Sequence, residues 1–485
     1  MAPGRDDGVA DAWREWLDAS LAKWEDASLL RKFRPVEPTS SAVVVQISHD
    51  VRDEWLADAG GGTCGAPGCT QRTTHAHGAA LDALSAVAPG GATPCTRSGV
   101  SAAPRPEQAS NLVLFSSNDY LGLSSHEGVR SAVASSAARH GMGPRSSAIV
   151  AGYTAEHRML ERALADLKGT EDCVLCPTGF AANLAAIGAL LARTDGSGGR
   201  VAVFSDELNH ASIIDAVRLA RTPATDVHVY RHNDTAHLDA LLSASDADRK
   251  LVVTDSLFSM DGDFADLRGL ARLRRKHGFM LLLDEAHATL VCGERGGGAA
   301  EMMGVERDVD VHVGTLSKAF GSQGGFVACS AALKTWIANR GRAFVYSTAL
   351  PLPAVVAAAA ALQASKEEPW RRTHVWSLAR HVGGVLGVRA DSPIIAVVVG
   401  DEKKAMALSA RLLAQGMYVP AIRPPTVPAG TSRLRISLSA AHTTSQVDAL
   451  LAAIQAGMRD ADVSPVRLEV AQSVNRTLTV ARSKL

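Results

Sequence analysis

Six short apolar runs, spaced by stretches long enough for a helix, constrain this chain more than any other feature. They are VAVF (201–204), VHVY (227–230), LVVTDS (251–256), FMLLLDEAH (279–287), VDVHVGT (309–315) and GGFVAC (324–329). Several are apolar throughout, so both faces of each strand need cover, as in parallel sheets packed between helices. The intervening helical patterns supply that cover. The expectation is an α/β fold with a large, mostly parallel sheet over residues 111–352. Beyond it the order becomes helix, strand (IIAVVV, 394–399), helix, RLRISLS (433–439) and a final helix. That order predicts a smaller α+β domain over 353–470.

The flanks read differently. Trp13, Trp16, Leu17, Leu21, Trp24, Leu29 and Leu30 recur at helical spacing before Arg34-Pro35, so residues 1–56 are expected to form a helical arm. Residues 57–110 are rich in Ala, Gly, Thr, Ser and Pro and read as a low-complexity insert. The tail 471–485 is polar and closes on Ser483-Lys484-Leu485, the tripeptide read by the peroxisomal import receptor; peroxisome is the expected address and cytosol the alternative. Asp6, Asp7, Asp11 and Glu15 argue against a secretory signal or an acid-poor presequence. Fifty Lys and Arg balance fifty Asp and Glu, which leaves no charge surplus for a nucleic-acid partner. No apolar run approaches the roughly 20 residues of a membrane helix. Seven cysteines, an odd number, suit a reducing compartment better than a disulfide framework. A soluble intracellular enzyme is expected.

In open α/β sheets ligands bind beyond the carboxyl ends of the strands, and three strands here deliver reactive side chains at that end. Asp284 closes one, with His287 three residues on; Lys318 follows another in GTLSK; Ser259 follows a third in DSLFSMDGD. A helix is expected to start at Thr178-Gly179-Phe180, where free N–H groups suit a phosphate. His210, in SDELNHASIID, precedes them in the chain. A lysine for covalent attachment, a carboxylate for a pyridine nitrogen and a phosphate cradle together describe pyridoxal 5′-phosphate. The DEAH tetrad at 284–287 does not indicate a helicase, because no G-x-x-x-x-G-K-[ST] loop occurs. Cys173 and Cys176 read as strand packing, and Cys64, Cys69, His75 and His77 as coincidence within a biased segment, so no metal is expected.

The matching stretches FSSNDYLGLSSH (115–126), GYTAEHRMLERALA (152–165), CPTGFAAN (176–183), LNHASIIDAVRL (208–219), TDSLFSMDGD (254–263), LLLDEAH (281–287), GTLSKAFG (314–321), YSTALP (346–351) and AIRPPTVPAGTSRLRISLSAAHT (421–443) closely resemble the pyridoxal-phosphate-dependent α-oxoamine synthases. The resemblance covers about residues 112–460 and the short arm around Arg31. It implies fold type I of the pyridoxal-phosphate transferases and a homodimer with sites at the subunit interface. IRPPTVPAG followed by RLRISLSAAH points to the branch that condenses L-alanine with a pimeloyl thioester, on coenzyme A or a carrier protein, to 8-amino-7-oxononanoate for biotin.

Carried over residue by residue, the resemblance implies that Lys318 holds the cofactor covalently and moves the substrate α-proton. Asp284 pairs with the pyridinium nitrogen, and His210 stacks on the ring and polarises the thioester. His287 and Ser259 bind polar groups around the ring. Gly179, Phe180 and Thr315 serve the phosphate, and Thr348 that of the partner subunit's site. Asn118 and Arg423 are expected at the amino-acid carboxylate, Arg31 at the acyl substrate, and Thr426 matches a substrate-contacting threonine. Two departures stand out: Glu285 where the family commonly has a second Asp, and Ala288 where it has Gly, with a side chain expected to crowd the backbone near the cofactor. Arg145 is either a substrate-side charge or a solvated one. A sister synthase using glycine or serine, and a non-catalytic partner subunit, are the alternatives.

Overall fold

The structure, a computed structural model, describes residues 15–23, 35–60, 109–192 and 199–460. Residues 15–23 are helical, with Trp16, Leu17 and Leu21 exposed. The remainder of the expected arm, Arg31 included, lies outside the described residues, as do Cys64, Cys69, His75, His77 and Ser483-Lys484-Leu485.

The helical reading of residues 1–56 is corrected over 37–48. Strands β1 (Glu37–Pro38) and β2 (Val44–Ser48) form there, and a helix follows over His49–Gly60. Val43, Val45 and Ile47 are buried at every second position, the period of a strand, and helical spacing does not extend this far. β2 pairs antiparallel with β3 (Ala109–Leu114), and Trp55, Leu112 and Leu413 complete a small core beneath the pair. The regular structure thus runs a few residues into both ends of the 57–110 stretch.

The large sheet comprises β4 (Asp172–Cys176), β5 (Val201–Asp206), β6 (Thr225–Tyr230), β7 (Arg249–Asp255), β8 (Met280–Asp284), β9 (Val311–Thr315) and β10 (Gly325–Cys329), in the order β4-β10-β9-β8-β7-β5-β6. The pairs from β9 through β8, β7 and β5 to β6 are parallel. β10 runs antiparallel to both neighbours, because the connection Leu316–Gly324 is too short for a crossover. That short connection carries Lys318. Alternate residues of the strands feed two apolar cores: Phe204, Val252 and Leu283 on one face, Val203, Val253 and Leu282 on the other.

The small domain adds β11 (Ile394–Gly400), β12 (Met417–Tyr418), β13 (Ala421–Ile422) and β14 (Ser432–Ser437), with β14 between β11 and β13. β12 lies parallel to β3, so the segment leading into Asn118 and Tyr120 is anchored on the small domain. Arg433 and Arg435 are buried on β14 and face the large domain: Arg433 pairs with Asp261, and Arg435 Nε donates to the Ser259 carbonyl at 2.6 Å. Among the described residues no helix is long and apolar enough to cross a membrane.

Candidate active site

Asp284 ends β8 and is held on both carboxylate oxygens. Asn183, one turn into the helix Gly179–Leu191, donates to Oδ2 at 2.7 Å, and the Ala286 N–H donates to Oδ1 at 2.8 Å. The same Asn183 amide donates to Ser212 Oγ at 2.9 Å, and Ser212 Oγ lies 2.7 Å from His210 Nδ1. His210 caps the helix Ala211–Ala220 and leaves its ring exposed, edge-on to Phe180 at 6.5 Å between centroids. Its backbone N–H donates to Asp255 Oδ2 at 2.7 Å. Asp255 is the register partner of Asp284 on β7; burial, then the neighbouring Asp284, push its carboxyl well above the usual range.

Lys318 Nζ lies 2.8 Å from His287 Nε2, and His287 Nδ1 lies 2.7 Å from the Tyr120 hydroxyl. That hydroxyl also lies 3.2 Å from Asn118 Oδ1, which Arg435 Nη2 approaches at 3.4 Å. The chain of hydrogen bonds has a direction. An amide oxygen only accepts, so Tyr120 donates to Asn118. The tyrosine oxygen then accepts from His287 Nδ1–H, and Nε2 is left to accept from Lys318. Burial, with Lys318 and Arg435 nearby, holds His287 well below its ordinary pKa and therefore neutral. Burial also lowers Lys318 to about 8 against the pull of Asp284 and Asp255, so an uncharged, nucleophilic amine is accessible near neutrality.

Thr315 ends β9 and packs against the start of the helix Gly179–Leu191: a side chain at Gly179 would place Cβ 3.0 Å from Thr315 Cβ. Thr315 Oγ1 lies 2.8 Å from Ser317 Oγ, and Thr178 caps the helix through the Ala181 N–H at 3.0 Å. The first N–H groups of a helix, here Gly179 and Phe180 among them, have no partner in the helix itself and favour an anion. Amine, strand-end carboxylate, exposed imidazole face and helix start fit pyridoxal phosphate. Ser259 stands on the loop after β7, tied to the small domain through Arg435. Thr348 is exposed next to exposed Tyr346 and bridges backbone to Ser147, on an outer surface that also carries exposed Ile149 and Val150.

A family model, aminotransferase class I and II, matches residues 110–454. An 8-amino-7-oxononanoate synthase from Arabidopsis thaliana is 54% identical over 352 residues, 71% of this chain and 74% of that protein. A solved structure of SPT with PLP superposes with a TM-score of 0.68 at 32% identity, covering 72% of this chain and 88% of the other. An 8-amino-7-oxononanoate synthase from Francisella tularensis superposes with a TM-score of 0.60 at 25% identity, over 72% and 98%. The chain belongs to the 8-amino-7-oxononanoate synthase family, within the class I and II aminotransferases.

Within that family frame, two sequence expectations change. Arg423 is paired with Glu402 at 2.8 Å, and Thr426 is exposed on the same loop. The arginine that reaches Asn118 and the Ser259 loop is Arg435, which sequence reasoning passed over inside RLRISLS. In the sequence it sits on the polar face of that alternating run, and only packing against the large domain buries it. Tyr120, Asn183 and Asp255 were also missed, though they lie within FSSNDYLGLSSH, CPTGFAAN and TDSLFSMDGD. Ala288 does not crowd the site; it is fully buried in the large core. Arg145 is exposed. Cys173 and Cys176 are buried on β4, and among the described residues no cluster of His, Cys, Asp or Glu is placed to hold a metal.

Proposed function

We propose that this protein condenses L-alanine with a pimeloyl thioester, releasing CO2 and the thiol, to give 8-amino-7-oxononanoate for biotin, with pyridoxal phosphate held covalently by Lys318. The observation that carries the reading is the Lys318–His287 contact beside Asp284, on a scaffold 54% identical to a plant synthase of that name. When bound, the cofactor supplies an electron sink for the charge left on the amino-acid α-carbon. Asp284, oriented by Asn183 and Ala286, holds the proton on the pyridine nitrogen that keeps the sink effective. Lys318 attaches the cofactor and then takes and returns the α-proton, with His287 Nε2 as the adjoining acceptor. Arg435 is the cation for the alanine carboxylate, fixing the torsion that aligns the breaking bond. His210, whose imidazole is exposed at the site, would stack on the cofactor ring. The exposed surface around Ile149, Val150 and Tyr346 supports a homodimer in which Thr348 meets the partner's site. Ser483-Lys484-Leu485 supports delivery to the peroxisome by its import receptor.

The test is reconstitution with pyridoxal phosphate, addition of L-alanine and pimeloyl-CoA, and identification of the product by mass. Expected are a visible absorbance that Lys318→Ala abolishes, and 8-amino-7-oxononanoate with free coenzyme A. The higher TM-score to SPT, a serine palmitoyltransferase, favours a serine- or glycine-using reading as the rival. A response to serine or glycine but not alanine would establish it, and absence of the absorbance would remove the catalytic reading.

A further inference from the structure

Directly behind Asp284, on the opposite face of the sheet, lies an ionic cluster that the chemistry above does not use. Glu285 and Lys168 are both completely buried, with Lys168 Nζ 2.7 Å from Glu285 Oε2. Lys168 closes the helix Ala155–Lys168, and its other two protons reach Thr289 Oγ1 at 2.9 Å and the Gly297 carbonyl at 2.6 Å. His312, on β9, donates from Nδ1 to Glu285 Oε2 at 2.8 Å, and the Ala300 N–H donates to Oε1 at 3.0 Å. Every donor of the ammonium and both carboxylate oxygens are therefore used.

The surroundings are built around this carboxylate. Gly298 adopts φ +116°, and a Cβ there would sit 2.3 Å from Glu285 Oε1, so the glycine makes the room. The Glu285 main chain is tied equally: its N–H donates to the Val313 carbonyl at 2.8 Å, and its carbonyl accepts from Thr289 N and Thr289 Oγ1, both at 2.9 Å. Burial raises the Glu285 pKa, but Lys168 and His312 outweigh it and leave the carboxyl at about 2, so Glu285 is a carboxylate.

A buried ion pair is a poor device for stability, since well-packed apolar residues do as well or better. What this one accomplishes is geometric. It grips a single residue from three elements, and that residue lies between Asp284 and the Ala286 N–H that orients it, two positions before His287. We propose that Lys168, Glu285 and His312 form a buried clamp that positions the Asp284–His287 turn against Lys318. Glu285 and Lys168 are thus positioning residues for the reaction, a role that rests on the function proposed above.

The test uses full-length protein reconstituted with pyridoxal phosphate, as wild type, Glu285→Gln, Lys168→Met and the double variant. Thermal midpoint, the pH titration of the visible absorbance, and kcat and KM for L-alanine are measured on each. Either single variant strands a buried charge or its partner and lowers the midpoint. The double variant regains most of the midpoint, yet keeps kcat down roughly tenfold or more, with KM little changed and the absorbance titration shifted. A double variant that recovers midpoint, titration and kcat together overturns the proposal, as do single variants that leave the titration unmoved. If the single variants do not fold, Glu285→Asp retains the charge with shorter reach, and the same titration shift is expected. A wild type without turnover on alanine counts against the proposed function alone, because midpoint and titration still decide the clamp.

Discussion

Lys318 Nζ and His287 Nε2 are 2.8 Å apart in a site where burial opposes charge on both. The lysine falls from 10.5 to about 8 on folding, chiefly through burial. Between those values the unfolded chain binds more protons than the folded one, so stability rises with pH across that window. In cofactor-free protein at pH 7 the charged lysine is therefore a burden, of roughly 3 kcal/mol if the whole shift is counted. Lys318→Met is expected to be more stable than wild type at pH 7, with the advantage fading as pH rises from about 8 to 10.5. Urea denaturation of the two cofactor-free proteins at pH 7 and pH 10.5 checks this; equal differences at both pH values would contradict it.

Tyr120 gives His287 its orientation. The hydroxyl, buried and pushed up to about 12 chiefly by that burial, stays protonated and passes its hydrogen to Asn118. Tyr120→Phe keeps the ring but leaves His287 Nδ1–H without its acceptor, a loss of about 1–3 kcal/mol for a buried polar group. The expected result is a kcat about tenfold lower, with the alkaline limb of the pH–rate profile moved. A profile identical to wild type would show that His287 is held by packing alone.

Arg435 and Arg423 make opposite predictions. Arg435 lies over the Ser259 loop and near Asn118, whereas Arg423 is engaged by Glu402. Lysine cannot reproduce the planar, two-pronged recognition of a carboxylate. Arg435→Lys is expected to raise KM for alanine by about ten- to a hundredfold, and Arg423→Gln to change it by less than about threefold. Steady-state kinetics with alanine varied at saturating thioester would separate them, and a larger effect at Arg423 would restore the sequence-based assignment.

The contrast between these arginines shows what the sequence makes legible. Apolar runs such as MLLL specify strands buried on both faces, and what ends or follows such runs locates Asp284 and Lys318 without any structure. The short gap between VDVHVGT and GGFVAC already forbids a crossover and so signals the antiparallel β10, but register does not follow from composition, and the pairing of Asp255 with Asp284 emerges only in three dimensions. Arg435 hides because the alternation in RLRISLS puts it with Arg433 and Ser437 on the face a strand usually turns to water, whereas β14 is buried on both faces. Tyr120 and Asn183 lie far in sequence from the residues they orient, and neither helical nor strand period encodes such a contact. The two-residue period of Val43, Val45 and Ile47 is legible, but it follows closely on the tryptophan-rich helical pattern.

His232 titrates with a sign opposite to that of Lys318. Its Nδ1 lies 3.0 Å from Asp206 and its Nε2 2.8 Å from Asp263, at the end of the loop that carries Ser259 and Asp261. Burial alone would lower the imidazole, but the two carboxylates outweigh it and raise it to about 10. A pKa raised above the unfolded value of 6.5 contributes stability that is complete below that value and lost as pH climbs through about 10. His232→Asn leaves two buried carboxylates without their cation, at a cost of about 3–5 kcal/mol near neutrality. Urea denaturation should show that deficit at pH 6 and a much smaller one above pH 10, because wild type has lost the charge there as well. A deficit independent of pH would mean that His232 acts through its packing on Phe258, where the ring centroids are 4.4 Å apart, and not through its charge.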